Sequence, residues 1–230
     1  MEKKTLIAIV SCRSRQDTWV KAIRETWLPL VPATKADVRI FVGLGDLPIS
    51  EDVVALACDD SYMGLPSKVQ EICRWSNAHA YDFTLKCDDD VVLDPATILL
   101  SGYERHEYSG RANRPPQPYT VPMGFNYWLS KKCTTIMSEA PLPDVGNDDE
   151  KWVASHLWSN GIILVDEPRY SLHTKLLEPL NKRPLRALNR HRYLPMQEIE
   201  PEYFSRCIHL GEEQEIKLAE FKKVFEKYVR

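Results

Sequence analysis

Two kinds of apolar pattern alternate along the chain. Short stretches dense in β-branched and other apolar residues, at 6–10, 38–42, 53–58 and 81–85, read as strands. The first has the unbroken apolar character of a strand covered on both faces. Between them, Trp19, Ile23 and Trp27 recur at i, i+4 and i+8 and predict one buried helix face. Asp17 is the expected cap of that helix, and Pro29 and Pro32 its end. Val69, Ile72, Cys73 and Trp75 mark a second helix over 66–79. The order strand, helix, strand, strand, helix, strand predicts an α/β nucleotide-binding half with right-handed crossovers.

Beyond residue 92 the pattern is looser. Asp94-Pro95 starts a short helix to residue 100, and 111–118 is a proline-rich loop. The segment 119–129 carries Gly124-Phe125-Asn126-Tyr127-Trp128, an aromatic strand that serves either as core or as a wall on which an acceptor stacks. Ser130 caps a helix to 138. Asn147-Asp148-Asp149-Glu150 opens another to 160, stopped by Gly161, with Trp152, Val153, His156 and Leu157 inward. Acids at a helix start also suit the positive end of its dipole. A strand at 162–165, a short strand and turn at 206–211 and a closing helix at 213–228 complete the reading.

Composition narrows the possibilities. A chain of 230 residues with 43% apolar content suits one substantial domain and excludes disorder. A net charge of −3 gives no global reason to expect nucleic acid or an anionic membrane. No apolar run approaches a membrane span, and Ser11-Cys12-Arg13-Ser14-Arg15 is a poor signal-peptidase site. The six cysteines have no Cys-x-x-Cys pairing, which argues against zinc and suits thiols in a reducing cytoplasm. Lys182, Arg183, Arg186, Arg190, His191 and Arg192 crowd together, either as a solvated face or as a patch for an anionic acceptor.

The chemistry concentrates in Lys86-Cys87-Asp88-Asp89-Asp90-Val91, at the end of a predicted strand. Two carboxylates about 5 Å apart repel by roughly 3 kcal/mol at an effective dielectric of about 20. A hard divalent cation removes that cost and shares its oxygen ligands with substrate phosphates. The strand end of an open α/β sheet is where ligands bind. Asp88 and Asp90 are therefore candidates for a metal–diphosphate site; an acidic turn that caps the next helix is the structural alternative.

Six stretches, in order, resemble family-31 glycosyltransferases, the β1,3-galactosyl and N-acetylglucosaminyl transferases, with Fringe as a distant relative. They are Ala22-Ile23-Arg24-Glu25-Thr26-Trp27, the run from Asp60 through Tyr62 to Lys68, Lys86-Cys87-Asp88-Asp89-Asp90-Val91, the run from Pro122 through Tyr127 to Ser130, Asp149-Glu150-Lys151-Trp152-Val153-Ala154, and Ile208-His209 followed by Glu213-Gln214-Glu215-Ile216. The resemblance implies a GT-A-type fold with a single mixed central sheet, a UDP-sugar donor, Mn²⁺ or Mg²⁺, and an inverting transfer to a hydroxyl of a glycan or glycoconjugate. It implies Asp90 and His209 as metal ligands, with Asp88 close by and His173 as the competing histidine. The catalytic base falls on Glu150, with Asp149 beside it. Ser11, Arg13, Arg24, Lys68, Lys86, Asp88 and Asp89 are expected around the nucleotide. Glu150 stands where the family has Asp, Gly64 where it has Asn, Pro66 where it has Thr and Ala154 where it has Gly.

The expected organisation is one domain over 1–230. Residues 1–92 form its nucleotide half, and 93–230 its acceptor half with a closing C-terminal helix. Lacking the stem and anchor of Golgi members, the chain reads as a soluble bacterial or viral relative, or a trimmed one. Modified DNA is an alternative acceptor, with the 182–192 patch tracking phosphates. A non-catalytic sugar- or metal-binding module is a further alternative.

Overall fold

The computed structural model describes residues 3–113, 118–144, 146–167, 172–174, 205–208, 221–223 and 225–226. A seven-stranded mixed sheet forms its centre. Four strands run parallel: β1 (Thr5–Val10), β2 (Asp37–Val42), β3 (Val53–Ala55) and β4 (Phe83–Asp88). Between β4 and the next strand of the sheet comes β5 (Val91–Leu93), which belongs elsewhere. Then β6 (Tyr108–Ala112), β7 (Pro122–Ser130) and β8 (Val165–Asp166) extend the sheet, in the order β3-β2-β1-β4-β7-β6-β8. β7 is antiparallel to both β4 and β6. This is the α/β architecture that the apolar pattern predicts, with the mixed central sheet that the resemblance implies.

Alternation along β1 splits the core. Ile7 and Ile9 face one layer with Trp19, Ile23 and Trp27, while Leu6, Ala8 and Val10 face the other with Phe41 and Ile72. The Trp19–Trp27 face is buried as its spacing requires. The segment carrying it is not one regular helix. A 3₁₀ turn (Arg13–Arg15) leads into a π turn (Gln16–Val20) and then α1 (Lys21–Glu25). Asp17 lies inside the π turn and does not cap it. The described C-terminal residues Phe221 and Phe225 join the same core layer, with the Phe221 ring edge-on to Trp19.

α2 (Leu65–Ala78), α4 (Lys131–Glu139) and α5 (Asp149–Ser159) cover the opposite layer. Ser130 caps α4 and Asp148 caps α5. Asp94 caps the short α3 (Pro95–Leu99), so the acidic triplet does not have that role.

Three strands lie outside the prediction: β5, β6 and β9 (Leu172–Thr174). β5, β9 and β10 (Ser205–Ile208) form a small second sheet in the order β5-β10-β9. The aromatic strand is largely core, since Tyr127 and Trp128 are fully buried. That overturns the stacking-wall reading for both. Five cysteines among the described residues are free thiols, four of them buried. No helix of the described residues is long and apolar enough to cross a membrane.

Candidate active site

Val10 and Asp88 pair as the last residues of β1 and β4. β2 lies on the far side of β1, so the chain leaves β1 in one direction and β4 adjoins it in the other. Such a switch point opens a crevice at the strand ends. The period of two along β4 sends Phe83, Leu85 and Cys87 into the core. It sends Lys86 and Asp88 to the face covered by α2 and α5.

Lys86 is 2% exposed and organises that face. Its Nζ donates to Asp88 Oδ1 at 2.6 Å and to the Gly124 carbonyl at 2.6 Å, and lies 3.6 Å from Asp149 Oδ2. Burial opposes its charge, but Asp149, Asp88 and Glu150 outweigh that and hold its pKa above the usual lysine range. Asp149 is as buried as Lys86, and Tyr127 Oη donates to it at 3.4 Å.

Asp89, 1% exposed, turns the other way. It accepts from Ser11 Oγ at 2.7 Å and from Arg15 Nη1 at 2.7 Å. Lys68, also buried, donates to the Ser11 carbonyl at 2.7 Å and to Asp60 Oδ1 at 2.8 Å. Asp60 in turn accepts from the Gly43 and Arg13 amides. These contacts fix the β1 loop against the triplet turn.

Two clefts open here. One, of about 350 Å³, is lined by Ser11, Arg15, Lys68, Asp88, Asp90 and Phe125 among others. The other, of about 280 Å³, is lined by Asn113, Val121, Asn147, Asp148 and Lys151. Tyr62 and Glu150 line both. Glu150 reaches this position because residue 124 has no side chain: a Cβ there would lie 1.5 Å from Glu150 Oε1.

The carboxylates are crowded. Burial, then the charges of Asp90 and Asp149, push Asp88 up to about 7 against the pull of Lys86. Burial and Asp89 push Asp90 up to about 7. Burial and Asp149 push Glu150 up to about 8.

The fold thus brings together Ser11, Lys68, Lys86, Asp88, Asp89, Asp90, Asp149 and Glu150. Two expected residues fall elsewhere. The Arg13 side chain donates to the carbonyls of Gly43, at 2.9 Å, and Leu47. Arg24 forms a two-pronged pair with Asp52, at 2.8 and 2.5 Å. Each prong finds its acceptor around the β2–β3 connection, away from the cleft. Arg15 supplies the cleft cation instead, and neither it nor Tyr62 was assigned a role from sequence. Two consecutive arginines in a polar loop carry no signal of which one faces the strand ends. Tyr62, 72% exposed, stood in view within the Asp60–Lys68 motif.

His209 and the 182–192 basic patch lie outside the described residues. β10 ends at Ile208 and pairs antiparallel with β5, directly after the triplet. β9, which contains His173, lies beyond β10. Among the described residues no group of three or more His, Cys, Asp or Glu is arranged to hold a metal ion.

The site is a strand-end crevice with acidic and cationic groups beside a second cleft. No family model matches the chain, and no curated protein does. A solved structure with a similar fold is that of a proposed nucleotide-diphospho-sugar transferase from Desulfovibrio desulfuricans G20. It is 11% identical, with a TM-score of 0.47, over 71% of this chain and 79% of that one.

Proposed function

We propose that the chain is a metal-dependent, inverting glycosyltransferase of GT-A type, moving a hexose from a UDP-sugar to an acceptor hydroxyl of a glycan or glycoconjugate. The observation that carries this reading is the place of Glu150, on the wall shared by a cleft with acidic and cationic groups and a second cleft. A transferase needs a base with access to both substrates.

Asp88 and Asp90 fit a divalent cation by their chemistry. They are hard oxygen donors whose charge is opposed first by burial and then by neighbouring carboxylates, and a bound cation would favour the charged form. Together they make an incomplete ligand set, and the β5–β10 pairing supports His209 over His173 as a further ligand. When bound, the ion supplies charge stabilisation to the leaving diphosphate.

The remaining steps belong to the chain. Arg15, held by Asp89, and Lys68 offer positive charge along the diphosphate cleft. Glu150 takes the proton of the acceptor hydroxyl as its oxygen bonds to the anomeric carbon. The bond from that carbon to the UDP oxygen breaks, and UDP leaves with the electron pair. A single displacement inverts the anomeric centre. Burial of Asp149 beneath Lys86 and Tyr127 favours Glu150 as the base and gives Asp149 a positioning role.

Incubation with UDP-hexoses and a panel of sugar acceptors, with Mn²⁺ or with EDTA, tests the reading by mass spectrometry. Transfer should require the cation, Asp90→Ala should abolish it, and Glu150→Gln should reduce turnover while UDP still binds. Full transfer in EDTA would remove the metal from the reaction, and a fully active Glu150→Gln would remove the base.

A further inference from the structure

Tyr62 and Glu150 are the two residues that line both clefts. Glu150 has a proposed role there and Tyr62 has none. Tyr62 is 72% exposed, and among the described residues its ring stacks on no other aromatic. Surface left in water contributes little to folding, so the ring is not there for the core. Yet the turn that carries it is tightly built. Tyr62–Gly64 is a 3₁₀ turn leading into α2. Before it, Asp59 accepts from the Ser61 amide at 2.9 Å and from the Ser61 hydroxyl. Asp60 is held by Lys68 and by the Gly43 and Arg13 amides. After it, the Ser67 hydroxyl donates to the Gly64 carbonyl at 2.8 Å. A Cβ at Gly64 would lie 2.3 Å from the Asp59 carbonyl oxygen, so the turn folds back as closely as only a glycine permits. A large exposed ring on a fixed turn, at the rim shared by two clefts, is placed to meet a ligand.

Which part of the ligand meets it follows from the two linings. In a single displacement the anomeric carbon lies within reach of the diphosphate in one cleft and of the acceptor hydroxyl, beside Glu150, in the other. The sugar being transferred therefore sits where the linings overlap, and Tyr62 is the second residue of that overlap. A pyranose has a face of C–H groups that packs on an aromatic ring, and hydroxyls at its edge that need polar partners. The carboxylates of the site can serve the edge and only an apolar surface can serve the face. We infer that the Tyr62 ring packs on the C–H face of the transferred hexose, holds its anomeric carbon toward Glu150 and keeps water from it. The inference rests on the glycosyltransferase reading. Where the ring is missing, water takes the place of the acceptor. Its oxygen bonds to the anomeric carbon, Glu150 takes its proton, and the bond to the UDP oxygen breaks with the electron pair leaving on UDP. The Tyr62 hydroxyl stays protonated, because partial burial and the charges of Glu150, Asp149 and Asp88 raise its pKa, and it adds no further negative charge to the site.

Titration of the full chain with UDP, UDP-galactose and UDP-N-acetylglucosamine in Mn²⁺ reads the contact without turnover. The affinity for UDP-hexose relative to UDP should fall about five-fold in Tyr62→Ala, the effect of returning one face of a sugar ring to water. It should stay at the wild-type ratio in Tyr62→Phe, which keeps the ring. With acceptor present, free hexose released per hexose transferred should rise on the order of ten-fold in Tyr62→Ala, because a closed site is what prevents hydrolysis. A wild-type affinity ratio in Tyr62→Ala overturns the inference. So does a Tyr62→Phe variant as impaired as Tyr62→Ala, which would assign the effect to the hydroxyl, and an unchanged partition between hydrolysis and transfer overturns the shielding. The two readings fail separately. A ratio lost in Tyr62→Ala with no transfer by the wild type to any acceptor would leave the ring on the sugar and sink the transferase. Transfer by the wild type with an unchanged ratio in Tyr62→Ala would do the reverse.

Discussion

Gly124 holds the closest tolerance in the site. Its carbonyl accepts from Lys86, and the space of its missing side chain is taken by the Glu150 carboxylate. Gly124→Ala should therefore displace the proposed base, Glu150, without disturbing the cleft lined by Ser11, Arg15 and Lys68. A misplacement of that order costs on the order of 100-fold in kcat, with UDP affinity and Tm close to wild type. The pH profile gives a second readout. A base acts ionised, so wild-type turnover should rise as the pH passes upward through about 8. Displacement toward solvent relieves the burial that raises Glu150, so the rise should move to lower pH in the alanine variant. An unshifted profile with normal kcat would show that the carboxylate does not need this place.

The elements around the site divide their labour between shape and charge. The 3₁₀–π–α segment after β1 buries Trp19, Ile23 and Trp27 while turning Arg15 toward Asp89. Arg24, one position beyond Ile23, points instead to Asp52. Both partners are partly exposed, and such pairs contribute about 0.2–1 kcal/mol. Arg24→Ala should lower Tm by no more than about 4 °C in a chain of this size and leave UDP affinity unchanged; a large loss of UDP affinity would return Arg24 to the nucleotide site. β6 shows how neighbours override local preference. Tyr108-Ser109-Gly110-Arg111-Ala112 has weak strand character, yet it pairs along β7 and becomes part of the sheet.

At the scale of the molecule, the acidic centre couples folding to protons and, under the proposed function, to a divalent cation. Asp88 and Asp90 are raised to about 7 and Glu150 to about 8 in the fold, against about 4 in an unfolded chain. The folded state therefore binds more protons than the unfolded state between those limits. By linkage, this contribution is fully present below about pH 4 and is lost as pH rises through about 7 to 8. Without divalent cation, Tm from calorimetry should fall between pH 6 and pH 8. Mn²⁺ should restore it at pH 8, because a ligand that binds the folded state stabilises it. A Tm that climbs over this range without metal, or that ignores Mn²⁺ at pH 8, would contradict the crowding of these carboxylates.

The sequence alone determined the α/β class, the run of parallel strands, the buried Trp19–Trp27 face and the strand end carrying Asp88, Asp89 and Asp90. Each is a local matter, written in the spacing of apolar side chains within one element and in like charges placed side by side. Only the tertiary structure decided which charges meet. It turned Asp89 to Ser11 and Arg15, sent Arg13 and Arg24 to the β2–β3 connection, tied Lys86 to Gly124 and Asp149, and put Glu150 between two clefts. These partners lie tens of residues apart, and a pairing between distant groups is fixed by chain path and packing, which no local periodicity encodes.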